Sequence, residues 1–127
     1  FAWLSQKSAS RWSTRTVAQL GETIAEARRR FGAEVIVVET AYPFTNEGVD
    51  EMPNLLGPDT LIDQYPATPA GQLAYLVDLT QLVADHGGVG VVYWEPAWVS
   101  TGCKTRWGTG SSWENAAWFH SIRRPDR

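Results

Sequence analysis

Val35-Ile36-Val37-Val38 is a run of four β-branched residues closed by Glu39. The chain repeats the pattern at Val89-Gly90-Val91-Val92-Tyr93-Trp94, closed by Glu95-Pro96. The first run does not alternate with polar residues, so it reads as a strand buried on both faces, as in a parallel sheet covered by helices, and the second run reads as another strand. Pro96 cannot donate to a ladder and ends the second strand. Ahead of the first run, Val17, Leu20, Ile24, Ala27 and Phe31 recur at steps of three and four, which predicts one apolar face of a helix. Ser13 or Thr14 can cap its start, Arg28, Arg29 and Arg30 suit its C-terminal dipole, and Gly32 stops it. Ahead of the second run, Thr68-Pro69 reads as an N-cap with proline at the first helical position. Leu73, Leu76, Val77, Thr80 and Val83 then predict the buried face, widened by Leu79 and Leu82, and Gly87-Gly88 ends the helix. Helix, strand, long loop, helix, strand, long loop is α/β architecture with parallel strands.

At 127 residues the chain suits one small domain. It is about half of the ~250 residues that a (β/α)₈ barrel typically needs. Eleven Lys and Arg against fourteen Asp and Glu give a net charge of −3, and the basic residues are scattered, which argues against a nucleic-acid partner. A hydrophobic content of 43% supports a packed core. No apolar run approaches the ~20 residues of a membrane span, so no membrane partner is expected. Cys103 stands alone, which leaves no internal disulfide and no cysteine-based zinc site. His86 and His120 lack metal-ligand spacing. Seven Trp are many for this length, and Trp3, Trp12 and Trp118 read as packing. A polar stretch at 45–67, broken by Gly48, Pro53, Gly57, Pro58 and Pro66, is long for a loop in a compact domain.

Ligands bind at the carboxyl ends of strands in α/β folds. Both ends here carry Glu among aromatics: Val38-Glu39-Thr40-Ala41-Tyr42 and Tyr93-Trp94-Glu95-Pro96-Ala97-Trp98. Aromatic faces cover the apolar faces of pyranose rings, and a carboxylate meets the charge that develops at the anomeric carbon. These residues suit a carbohydrate-active site. The competing reading is a Glu39–Arg pair at the rim, with the tryptophans in the core.

The segments Val37-Val38-Glu39-Thr40-Ala41-Tyr42-Pro43 and Val91-Val92-Tyr93-Trp94-Glu95-Pro96-Ala97-Trp98 resemble the last two strand ends of glycoside hydrolase family 53. Tyr65-Pro66-Ala67-Thr68-Pro69-Ala70-Gly71-Gln72 and Gly110-Ser111-Ser112-Trp113-Glu114-Asn115 agree with the same family, over roughly residues 12 to 119. Its members are endo-β-1,4-galactanases, retaining enzymes built on a (β/α)₈ TIM barrel. The resemblance implies an α/β fold that is the C-terminal part of such a barrel, about strands seven and eight with their helices. Residues 1–127 would then form one partial catalytic domain with no second domain. It implies Glu39 as nucleophile and Trp94 as the platform under the sugar beside the cleaved bond. Tyr42, Glu95 and Trp98 would line that site, with structural bracing the alternative for Glu95. Trp113, Asn115 and Trp107 either extend the groove or cover the barrel end.

No cofactor is implied. In some bacterial members the long loop holds a structural calcium ion, and Asn46, Glu47, Asp50, Glu51 and Asn54 offer hard oxygen ligands here, with Glu47, Asp50 and Asn54 the foremost candidates. The alternative is a solvated acidic loop. The family's acid/base is a Glu after Asn at the end of the fourth strand. Glu47, Glu95 and Glu114 do not occupy such a position, so it is expected outside this chain, on the missing N-terminal part of the barrel. An isolated fragment of this kind is expected to be inactive and prone to self-association. The implied partner is galactan or arabinogalactan, with an extracellular location. Alternatives are a non-catalytic galactan-binding fragment, or a related glycosidase acting on mannan or another β-glycan.

Overall fold

The computed structural model describes residues 2–5 and 14–119 of the chain. Trp12, Ser13 and His120, for which capping, packing or exposure was expected, lie outside them. The elements run β1 (Ala2–Ser5), α1 (Thr14–Phe31), β2 (Val35–Thr40), α2 (Pro69–Asp85), β3 (Gly90–Tyr93), then a small hairpin of β4 (Lys104–Thr105) and β5 (Gly108–Thr109). Strands β1, β2 and β3 form one parallel sheet in that order. The two expected strands are therefore joined by a third, β1, in which Ala2 pairs with Val35 and Trp3 with Ile36.

The two helices cover one face of this sheet. Ile24 of α1, Val35 and Val37 of β2, and Tyr75, Leu79 and Val83 of α2 form a single buried cluster. Each such aliphatic side chain contributes roughly 1.5–3 kcal/mol relative to leaving it in water. The opposite face is uncovered: Ile36 and Val38 are only partly buried, and Val92 is exposed. The expectation that β2 is buried on both faces is thus met on the helix side alone.

Helix α1 has the predicted bounds, and Val17, Leu20 and Ala27 pack beside Ile24. Phe31 departs from the predicted face. It sits in the last turn, where Gly32 at φ +60° donates its amide to the Arg28 carbonyl at 2.9 Å, and its exposed ring lies under the Arg30 guanidinium.

Helix α2 begins as predicted, with the Thr68 side chain accepting from the Gly71 amide. Its buried face is Gly71, Gln72, Tyr75, Leu79 and Val83. Leu73 and Val77, predicted inside, are 63% and 56% exposed. The helix is apolar nearly all round, so counting apolar steps does not choose the face. Two contacts do: a Cβ at position 71 would run into the Pro66 carbonyl, and the Tyr75 hydroxyl reaches Thr40 Oγ1 at 2.8 Å.

The 45–67 stretch is more than a solvated acidic loop. Glu47, Glu51, Asp59 and Asp63 are exposed, but Leu56, Thr60, Ile62 and Tyr65 are buried around a 3-10 turn at Pro58–Thr60.

The faces of α2 can be separated by truncation. Leu79→Ala should cost about 2–5 kcal/mol, the usual loss for a buried leucine, and Leu73→Ala well under half of that. Urea unfolding of both variants of the full natural protein reads the difference, and equal losses would contradict the observed face.

Candidate active site at the C-terminal ends of the strands

The site begins with an irregularity in β2. Consecutive residues Leu4 and Ser5 of β1 face Val37 and Glu39, while Val37 and Thr40 face Val91 and Tyr93 of β3. Strand β2 therefore carries one residue more than either neighbour between Val37 and Thr40, which is a β-bulge. Side chains alternate along a regular strand, so Val35, Val37 and position 39 would share the helix face. The extra residue changes the parity. Thr40 takes the helix face, buried, and exchanges a 2.8 Å hydrogen bond with the Tyr75 hydroxyl. Glu39 consequently turns to the uncovered face, where it is half-buried.

Strand β3 delivers the second group. Val91 packs on the core and Val92 is exposed, so Tyr93 belongs to the helix side and Trp94 to the same face as Glu39. The Trp94 amide extends the ladder by donating to the Thr40 carbonyl at 2.7 Å. Its indole meets Trp113 edge to face, with centroids 6.4 Å apart. Indole Nε1 of Trp94 and of Trp98 are both buried without a protein partner.

Tyr93 and Gln72 hold this rim from behind. The Tyr93 hydroxyl donates to the Ala116 carbonyl at 2.6 Å and receives the Gln72 amide at 3.1 Å and the Tyr42 backbone amide at 3.2 Å. Gln72 Nε2 also reaches the carbonyls of Tyr42 at 2.8 Å and Ala116 at 3.1 Å. Burial pushes the Tyr93 hydroxyl above the usual tyrosine range, against the lowering effect of these bonds, and burial pushes Tyr75 up to about 12.

The other expected site residues divide. Tyr42 is a correction: it is 3% exposed and stacks on Tyr75 at 4.4 Å. Its hydroxyl donates to the Tyr65 carbonyl at 2.6 Å and accepts from the Ile62 amide at 3.0 Å, so its ring offers no face to a sugar. Asn115 is a second correction. It is fully enclosed, and Nδ2 donates to the carbonyls of Leu56 at 2.7 Å and Thr45 at 3.1 Å, which braces the long loop. Glu95 is exposed, Trp98 and Trp113 are half-buried, and Trp107 stands 78% exposed beneath Arg106. Trp118, expected in packing, keeps its ring against Tyr93 at 5.1 Å but is otherwise exposed.

The calcium candidates divide, and the Asp50 carboxylate is already bonded within the protein. Asp50 Oδ1 accepts from the Met52 amide at 2.7 Å, and Oδ2 accepts from the Ser111 amide at 2.8 Å and from the Ser100 hydroxyl. Both Asp50 oxygens are thus taken up by donors, whereas a calcium ion takes six to eight oxygen ligands. Burial would raise the Asp50 pKa, but these bonds and Glu114 hold it below the usual range. Glu114 is enclosed, with Oε1 accepting from the Val49 amide at 2.5 Å and Oε2 unpartnered; burial, then the neighbouring Asp50 carboxylate, push its pKa up. Glu47 is exposed, and Asn54 Oδ1 is buried without a partner. Among the described residues no group of three or more His, Cys, Asp or Glu is placed to hold a metal.

Thr40, Gln72, Tyr75, Tyr93 and the Asp50 contacts were not singled out from sequence. Gln72 and Tyr75 left a faint signal, as residues of the 72-75-79-83 series that a purely apolar face would not include.

A family model for glycosyl hydrolase family 53 matches residues 8–125. The chain belongs to that family. It is 50% identical over 113 residues to the arabinogalactan endo-beta-1,4-galactanase of Cellvibrio japonicus, covering 89% of this chain and 30% of the relative. It is 33% identical over 111 residues to the endo-beta-1,4-galactanase of Bacillus subtilis, covering 80% of this chain and 26% of the relative. The solved GH53 catalytic domain of Ignisphaera aggregans superposes with a TM-score of 0.74 at 24% identity, over 94% of this chain and 34% of that one. The chain thus spans about a third or less of these proteins, and its sheet with α1 and α2 is part of a TIM barrel.

The Thr40–Tyr75 bond should matter to stability and to pH together. Thr40→Val strands a buried hydroxyl and should cost about 1–3 kcal/mol, and the same change in a Tyr75→Phe background should cost less. Burial, against the lowering effect of the Thr40 bond, raises the folded-state pKa of Tyr75 from 10.0 to about 12, so the stability tied to its neutral phenol is full below pH 10.0 and is lost as pH rises towards 12. A phenolate absorbance difference between the parent protein and Tyr75→Phe checks the value; a midpoint near 10 would contradict the burial of the hydroxyl.

Proposed function

We propose that this chain carries the nucleophile side of an endo-β-1,4-galactanase site, which hydrolyses internal β-1,4-galactosidic bonds of galactan or arabinogalactan with retention. The observation that carries this reading is the single extra residue in β2, which brings Glu39 to the same uncovered face as Trp94. The named activities of the Cellvibrio and Bacillus relatives support the substrate class.

In this mechanism the Glu39 carboxylate attacks C1 of the galactosyl unit as the glycosidic C–O bond breaks, and a second carboxyl group protonates the departing oxygen. The product of this step is a galactosyl ester on Glu39. The second group, now a carboxylate, takes a proton from water, whose oxygen attacks C1 and frees Glu39. In retaining enzymes the two carboxyl groups stand ~5–5.5 Å apart. Glu114 is enclosed and bonded to the Val49 amide, and Glu95 is exposed beyond β3. The acid/base is therefore assigned to another strand of the barrel, outside this chain. Trp94 supplies the apolar platform for the sugar, and Trp98 and Trp113 extend it. Polymeric galactan is too large to enter a cell, which gives this reading an extracellular setting.

In the full natural protein, Glu39→Gln should lower kcat on galactan by roughly a thousandfold or more, while leaving the fold intact. Azide added to Glu39→Ala, with an aryl β-galactobioside as substrate, should restore turnover and give the α-galactobiosyl azide. Wild-type-like turnover by Glu39→Gln would end the assignment.

A further inference from the structure

The loops beyond β2 and β3 carry the aromatic walls of the site, and the Asp50 carboxylate stands between them. Asp50 gathers donors from three places: the Met52 amide on its own turn, the Ser100 hydroxyl two residues after Trp98, and the Ser111 amide two residues before Trp113. The approach is close. Gly110, at φ +99°, leaves room for the carboxylate, because a Cβ there would stand 2.5 Å from both Asp50 oxygens. Gly108, at φ +119°, does the same for Met52, whose Cε would lie 2.6 Å from an added Cβ. Both left-handed conformations are ones that L side chains rarely adopt.

A second set of bonds zips the same loops nearer the sheet. The Phe44 amide donates to the Asn115 carbonyl at 2.8 Å, the Leu55 amide to the Ser112 carbonyl at 2.9 Å, and the Val49 amide to Glu114. Those bonds fix the base of the rim. The segment 98–110 that projects beyond them meets the β2 loop at the Asp50 carboxylate and at Met52.

We propose that Asp50 is a positioning residue of the rim, whose hydrogen bonds set where Trp98 and Trp113 stand relative to Glu39, in place of a bound cation. This rests on the galactanase reading and deepens it. Trp98 and Trp113 would extend the platform away from the cleaved bond, so Asp50 governs the grip on a long glycan rather than the bond-breaking step.

The test uses Asp50→Asn and Asp50→Ala in the full natural protein. Amide hydrogen exchange at Met52 and Ser111 should quicken about tenfold or more as their acceptor is lost. KM for polymeric galactan should rise about tenfold with kcat changed by less than about twofold, and kcat/KM on an aryl β-galactoside, which fills only the subsite at the cleaved bond, should hold. If both variants fail to fold, Ser100→Ala should give a smaller KM shift in the same direction, and Ser100→Thr should reverse it. A chelator should leave Tm unchanged. Unaltered exchange at Ser111, an unaltered KM, or a Tm that falls with chelator and returns with calcium would each overturn the proposal. A wild-type protein that does not cleave galactan would sink the galactanase reading alone, since exchange at Met52 and Ser111 still decides whether Asp50 holds the rim.

Discussion

Between Val37 and Thr40, β2 spends one residue more than β1 or β3, and that excess sets which side of the sheet each later side chain meets. Without it, alternation would carry Glu39 under the helices, among Val37, Tyr75 and Leu79, where an unpaired carboxylate is costly. With it, Thr40 fills the buried place and satisfies its hydroxyl on Tyr75. The bulge is thus held from the helix side, by a hydrogen bond in a part of the core dominated by apolar groups. That arrangement lets an acidic residue emerge at the rim while the strand beneath it stays packed on its helix face.

The layers behind the rim repeat the same logic. Polar groups carried inside by the chain are used to tie separate segments together, because a buried donor or acceptor left without a partner costs more than a made bond returns. Gln72 and Tyr93 join the start of α2, the turn after β2 and the turn at Glu114–Ala116. Tyr42 joins the same turn to the 62–65 segment. Asn115 and Glu114 join the long loop to the chain after the hairpin. A stretch with five Gly and Pro breakers keeps a defined path through these fasteners, although it contains no long element of its own.

Much of the architecture is legible in the sequence because it rests on local patterns. The bounds of α1, the proline-started α2 and the two main strands follow from periodicity, capping and β-branched runs. The barrel assignment came from motifs at strand ends, and the family match agrees with it. The misreadings share a cause: the deciding contact is long-range. Nothing in Val37-Val38-Glu39-Thr40 marks a bulge, because the residue that fixes it, Tyr75, lies 35 positions away. Leu73 and Val77 are as apolar as Leu79 and Val83, so the sequence does not mark which face of α2 is buried. Tyr42 and Asn115 stand in site-like motifs, yet the Tyr42 hydroxyl and Asn115 Nδ2 serve backbone groups in the 45–67 loop. Strand β1 is short and offers only Ala2-Trp3-Leu4-Ser5, too little for a periodic signal.

The most direct measurement is to find where a galactosyl group becomes attached. An activated 2-deoxy-2-fluoro-β-galactoside slows release of the covalent ester, so incubation with the full natural protein followed by peptide mass spectrometry locates the bond. Glu39 at the rim of β2 predicts one added fluorogalactosyl unit, on the peptide that contains position 39 and on that side chain. A label on any other carboxylate, or rapid galactan hydrolysis by a protein that never acquires the label, would contradict the role given to the bulge.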